Sequence, residues 1–292
     1  MKYAIPLVIG MTIQSVFAHA QKIEIGTGYW IDGVVTHNGS TAKVLANEPR
    51  PLRQAIQSLS EEYGWTIDYE DPVYSDTEAI DRTDPAWVAS HPGIRQRLVA
   101  GHSFESVFPE VAKTGDLATE KNNVLQKLVA DYNRSGNPGQ FTLVDEGAGR
   151  FAIVGQTNGK TQTILDAPIT VNIAGQNGSF ALDAFSEALS ASSGVKVTVL
   201  TYPLNLFIQT EFTTRAANQP AREVLRDLVD TTHRNIEWTL LYDIDDKAYY
   251  LNLIAVVKGH YRRLGGQVEG KPEPDRGGSR RRGLRTLKTQ YG

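Results

Sequence analysis

Residues 51–69 read PLRQAIQSLSEEYGWTIDY, and this stretch decides the fold class. Leu52, Ile56, Leu59 and Tyr63 recur at intervals of 4, 3 and 4 residues, which places them on one stripe of a helix. Pro51 suits the first helical turn, where its missing N–H costs nothing. Gly64 can stop the helix, and Trp65, Ile67 and Tyr69 then alternate as on a half-buried strand. A helix that passes straight into a strand predicts a small α+β unit rather than one large enzyme domain.

The same grammar returns at residues 220–239, PAREVLRDLVDTTHRNIEWT. Between the two, Val124, Leu125, Leu128, Val129 and Tyr132 form a helical stripe that ends in the polar run Asn133–Gly139. Phe141 with Leu143, and Phe151 with Ile153, alternate on either side of a turn at 145–149, which predicts a β-hairpin. The order then repeats. A β-branched strand spans Ile164–Ile173, and Leu182, Phe185, Ala188 and Leu189 give a helix stopped by Gly194. Val195, Val197 and Val199 give a strand, and 207–214 a further one. Val224, Leu225, Leu228 and Val229 form the next helix, followed by strands at 236–242 and 248–257 around Asp245-Asp246-Lys247. The sequence therefore reads as α+β, with two tandem small modules in the order β-α-β-β-α-β-β. The first covers 21–157 with an insertion at 70–118, and the second covers 158–258.

Residues 1–20 read as a signal peptide. Lys2 supplies the positive start, Tyr3 to Phe17 is mostly apolar, and Ala18-His19-Ala20 is a small-x-small cleavage site. An uncleaved anchor is the other reading. No later segment approaches the roughly 20 apolar residues that cross a bilayer, so no transmembrane span is expected after cleavage. The chain has no cysteine, so an exported form must rely on apolar burial, which suits a bacterial periplasm or cell surface. The net charge of −3 hides an asymmetry: ten basic against three acidic residues follow from Lys258 onward, leaving the rest strongly acidic. Residues 259–292 are rich in Gly and Pro without apolar periodicity and read as a disordered basic tail.

The core pattern resembles the short N-terminal domain of secretins and TonB-dependent receptors. The first copy carries it on Pro51, Leu52, Ala55, Ile56, Leu59, Gly64 and Tyr69, then Val124, Leu125, Leu128, Phe141 and Ile153. The second carries it on Ala184, Leu189, Gly194 and Val197, then Val224, Leu225, Leu228, Trp238, Leu251 and Leu253. The chain is also similar to exported bacterial proteins with a Gly-Trp-x-Ile-x-Tyr-Glu-Asp-Pro stretch, here Gly64 to Pro72. The resemblance implies a non-enzymatic module that contacts a partner protein of the cell envelope, with an exposed sheet edge as the expected contact.

Residues 70–118 hold Glu70, Asp71, Asp76, Glu78, Asp81 and Asp84, then His91 and His102. These carboxylates lack the loop spacing and glycine of a calcium site, so a solvated acidic loop is the simpler reading and no metal or cofactor is expected. Gly101-His102-Ser103-Phe104-Glu105 has Glu where a nucleophile elbow needs Gly, which leaves a hydrolase as a remote alternative. Trp65 and Trp238 follow helices and read as core fillers with an N–H at the rim. Trp30 and Trp87 sit in less regular segments and, with His91 and His102, are the candidate binding residues for surface recognition of cell-wall glycan or peptide. Arg280, Arg281, Arg282 and Arg285 could hold peptidoglycan or another anionic surface, with nucleic acid not expected for an exported protein.

Overall fold

Ile67 and Tyr69 do alternate on a strand, but neither face of that strand meets solvent. The computed structural model describes residues 33–256, apart from 48, 112–116 and 162. The signal-like start, Trp30 and the basic tail with Arg280, Arg281, Arg282 and Arg285 lie outside the described residues. Within them the chain is a mixed α+β fold in one compact unit.

The chain opens with β1 (Val34–Asn38) and β2 (Thr41–Ala46). Helix α1 (Pro51–Tyr63) has Pro51 in its first turn and ends at Gly64, whose φ of 72° lets its N–H close on the Ser60 carbonyl. Strand β3 (Ile67–Glu70) follows, then β4 (Ala79–Asp81), α2 (Pro85–Ser90), β5 (Arg97–Val99) and β6 (Phe104–Pro109). Helix α3 (Leu117–Arg134) leads into the hairpin β7 (Phe141–Gly147) and β8 (Arg150–Gly155). Next come β9 (Pro168–Asn177), α4 (Gly178–Ser193), β10 (Val197–Thr201), α5 (Leu204–Gln209) and β11 (Glu211–Pro220). Helix α6 (Ala221–Thr231) and the hairpin β12 (Ile236–Asp243) and β13 (Ala248–Ala255) complete the described chain.

Two expectations change. The stretch 207–214 divides between α5 and β11 instead of forming one strand, because its short apolar run carries no period that separates helix from strand. Nor is 70–118 all insertion: β6 pairs along its length with β2, and its Phe104 and Phe108 enter the same core as α1.

Six strands form one sheet in the order β10-β13-β12-β3-β8-β7. Each half of it has the same connectivity. The strand after the first helix lies parallel to the second strand of a hairpin, as β10 does to β13 and β3 to β8. The strands that precede the helices pair antiparallel with each other, β2 with β6 and β9 with β11.

The halves bury opposite faces of this sheet. Ile67, Tyr69, Phe151 and Ile153 pack with α1 and α3, whereas Trp238, Leu240, Leu251 and Leu253 pack with α4 and α6. Thr239 stands beside Tyr69 and Leu240 beside Glu70, and neighbouring residues on a strand point to opposite sides. Glu70 and Asp68 therefore face the second core, and both are fully buried.

The two edge strands are blunted alike. Asn133, near the end of α3, bonds both the N–H and the carbonyl of Phe141 on β7, at 2.9 and 2.8 Å. Ser190, near the end of α4, accepts the N–H of Val197 on β10 at 2.9 Å. Beyond these first residues neither edge has a further strand partner among the described residues.

Candidate functional site

The densest polar cluster is the seam where β3 meets β12. Only Thr239–Tyr69 and Leu240–Glu70 pair there, and carboxylates extend the short ladder. Asp68 accepts the Trp238 N–H at 2.9 Å, Asp71 accepts the Tyr242 N–H at 3.0 Å, and Glu237 accepts the Ile67 N–H at 3.4 Å. Arginines neutralise three of the acids. Arg50 bonds Asp71 at 2.8 Å and the Tyr242 carbonyl at 2.7 Å. Arg150 holds Asp68 at 3.3 Å and the Ile236 carbonyl at 3.0 Å, and Arg222 grips both oxygens of Glu70. Asp71 also takes the hydroxyls of Tyr69 and Tyr74, at 2.7 and 3.0 Å.

Glu237 differs from the others. Its carboxylate accepts from the Ser60 hydroxyl at 2.8 Å and the Ile67 N–H, with the charge of Arg53 acting on it as well. Burial pushes its carboxyl up to about 7, against the pull of those two donors. Burial also raises Asp68 well above the usual range, with Arg150 opposing. Lys121 donates to the carbonyls of Thr66 and Gly149 at 2.7 and 2.9 Å, and burial pulls its ammonium down to about 8. Shifted groups of this kind often mark active sites. Here they hold backbone to backbone across the sheet, and each carboxylate is spent on a strand.

The residues singled out from sequence lie elsewhere. Trp87 is only 2% exposed, so it offers no surface platform. His91 stacks on its ring at 4.6 Å, and the Arg82 guanidinium lies over it at 5.0 Å. The short helix α2 produces this burial: Asp84 caps it by accepting from Ala86 and Trp87 N–H, which turns the indole inward. His91 is part of that packing, its Nδ1 within 3.0 Å of the Trp87 carbonyl. His102 is exposed, and its N–H is held by Asn137 at 2.6 Å. No hydrogen bond joins Ser103 to a carboxylate among the described residues.

The acidic stretch is solvated only in part: Glu70 and Asp71 are buried, whereas Asp76 and Asp81 are exposed and ion-paired. Asp76 and Asp245 both bond Arg97, Asp81 pairs with Arg95, and Glu78 closes a capping box with Ser75. No group of three or more His, Asp or Glu side chains converges as a metal site among the described residues. The Trp238 indole N–H turns inward to Glu70 at 3.4 Å, and does not sit at a rim.

Sequence reasoning missed a polar cleft of ≈680 Å³. It lies at the carboxyl ends of the parallel pair β3 and β8, where open sheets commonly receive ligands. Its walls are 72–78, 136–140 and 156–159. They are cross-linked: Glu78 accepts the Gly139 N–H at 3.0 Å, and Gln156 donates its N–H to the Gln140 carbonyl at 2.7 Å. Thr157 and Lys160 close a tight turn through Asn158 and Gly159, whose φ angles are 53° and 72°. The base is tight as well, since a Cβ on Gly155 would collide with the backbone of Pro72. The turn residues Asn, Gly, Ser and Thr that build the walls carry no sequence signal beyond that of any loop.

No helix among the described residues is long and apolar enough to cross a membrane. Comparison with known proteins finds no family model, no curated protein and no solved structure that matches this chain.

Proposed function

We propose that this protein is a non-enzymatic interaction module of the bacterial cell envelope that binds a partner protein along the β10 edge. One observation carries the reading: the sheet ends at β10, and exposed apolar side chains follow at its carboxyl end. Thr201 leads through Tyr202 and Pro203 into α5, which presents Leu204 and Ile208 at 52% and 51% exposure. Tyr202 meets Ser179 at 2.8 Å, and the next residue, Phe180, is 63% exposed. Large apolar groups grouped beside an unpaired strand suit strand addition, in which backbone bonds give affinity and side chains give specificity.

The signal-like residues 1–20 support export to the periplasm or cell surface. The resemblance of the core pattern to the short N-terminal domain of secretins and TonB-dependent receptors supports a protein partner, and the basic tail supplies a further contact with an anionic surface. The sealing of the buried acids into the sheet supports a role other than catalysis.

A photo-reactive residue placed at Leu204 in the producing cell tests the proposal. A discrete adduct with another protein is expected, and it should disappear on Phe180→Ser with Ile208→Ser. The same photo-residue at Val107, exposed on the other half, is the control. Equal capture from both positions, or none at Leu204, would refute it.

A further inference from the structure

The cleft between 72–78, 136–140 and 156–159 is separate from the β10 edge, and its chemistry selects a different ligand. We infer that it is a binding site for an uncharged oligosaccharide.

Its volume falls within the roughly 300–1,000 Å³ of ligand clefts. Thr77, Gln140 and Asn158 place a hydroxyl and two carboxamides around it, whereas Asn137 is buried and bonded to the His102 N–H and Ser135, Ser75 to Glu78, and Gln156 to Thr142. No lysine or arginine lines it, so nothing there compensates a phosphate or carboxylate. Its one carboxylate, Glu78, is engaged with Ser75 and the Gly139 N–H, which leaves little to attract a cation.

Carboxamides both donate and accept, and so match the paired hydroxyls of a sugar ring. Asn158 is the clearest case. It is exposed, sits at a φ of 53° that few side chains adopt, and has no hydrogen-bond partner among the described residues. Gly136 and Gly159, both at positive φ with open space where a side chain would stand, leave the backbone uncovered where a ring would approach. Val73 and Pro138 supply an apolar surface for the C–H face of a ring. A peptide fits less well: the cleft has neither an unpaired strand edge for its backbone nor an apolar pocket for its side chains. The cross-links between the walls hold the shape before a ligand arrives, which lowers the ordering cost of binding.

Titration of the ¹⁵N-labelled full chain with chitotetraose, and separately with cellotetraose, tests the site. Saturable amide shifts confined to 72–78, 136–140 and 156–159 are expected with at least one of the two, at about millimolar affinity. Asn158→Gly, which keeps the turn, combined with Gln140→Ala should weaken binding by about tenfold through two lost hydrogen bonds. The thermal midpoint should stay unchanged, which separates lost recognition from lost folding. Three outcomes overturn the inference: no saturable shift with either sugar, unchanged affinity in the double variant, or cleft shifts produced only by an uncharged blocked tetra-alanine peptide.

Discussion

Strands β3 and β10 hold the same place in the two halves of the sheet, yet one is an interior seam and the other an edge. The first runs Ile67-Asp68-Tyr69-Glu70 and continues into Asp71; the second runs Val197-Thr198-Val199-Leu200-Thr201. The acids make the difference. On β3 they bond the backbone of β12 beyond the two paired positions and bring in Arg50, Arg150 and Arg222. Strand β10 has no acid, and its first residue is closed by Ser190 instead. A buried charge is stabilising only when fully partnered, so the seam is fixed in one register, while the edge is left able to accept a strand.

Asp71 is where the comparison breaks most easily. Asp71→Ala removes the acceptor for two tyrosine hydroxyls, the Tyr242 N–H and the Arg50 guanidinium. Leaving a buried arginine unpaired should cost about 3–5 kcal/mol. Thr201→Ala, at the corresponding place on β10, loses one bond to Asn252 and should cost about 1 kcal/mol. Urea denaturation of the two variants measures the gap, and equal losses would mean that the carboxylates do not distinguish seam from edge.

Glu237 makes the seam sensitive to pH. Its carboxyl titrates near 7 in the folded protein and near 4.5 when unfolded. Below the lower value both states hold the proton. Between the two only the folded state holds it, so the unfolded state binds fewer protons and stability falls as pH rises. The loss should reach about 3 kcal/mol by pH 8, on the scale of 1.36 kcal/mol for each unit. Glu237→Gln keeps a neutral acceptor for Ser60 and Ile67, so its denaturation midpoint should vary less with pH over that window.

The four long helices α1, α3, α4 and α6 and the hairpins β7–β8 and β12–β13 were legible because their apolar periods reflect local burial. Leu52, Ile56 and Leu59 need only α1 to fall on one stripe, and all three lie in the first core. The second face of β3 was not legible, because its cover comes from distant residues: Arg222 and Trp238 stand more than 150 positions away. Strand β6 escaped for a smaller reason. Phe104, Ser106 and Phe108 alternate inward, but the middle one is a serine, buried through its bond to Asp131 at 2.6 Å. Trp87 misled for the opposite reason, since a six-residue helix is too short to show the period that would have placed it inside.

The cleft offers a sharper test of how far polar loops can be as tightly set as the seam. Gly155 ends β8 against Pro72, and a methyl group there would meet backbone that cannot swing away. Gly155→Ala should destabilise by about 1–3 kcal/mol, the range of overpacking in a dense core. Its amide shifts should move in 72–78 and 156–159 and leave β12 and β13 untouched. Shifts spreading through the seam would instead show that cleft and seam form one rigid block.

The smallest expected effects lie at the two blunted edges. Asn133→Ala frees both backbone groups of Phe141, and Ser190→Ala frees the Val197 N–H. Each lost bond should cost about 1 kcal/mol, so Asn133, with two bonds, should matter more than Ser190. Association should follow a different order from stability. Freeing Val197 lengthens the open part of β10 next to Phe180, Leu204 and Ile208, where a second strand gains apolar contact as well as backbone bonds. Strand β7 lacks such a strip, and its outer end carries Asp145, which repels an incoming acidic strand. Light scattering should therefore show self-association at lower concentration for Ser190→Ala than for Asn133→Ala, although Ser190→Ala is the milder change in stability. If self-association instead follows stability loss, the β10 edge is no more receptive than β7.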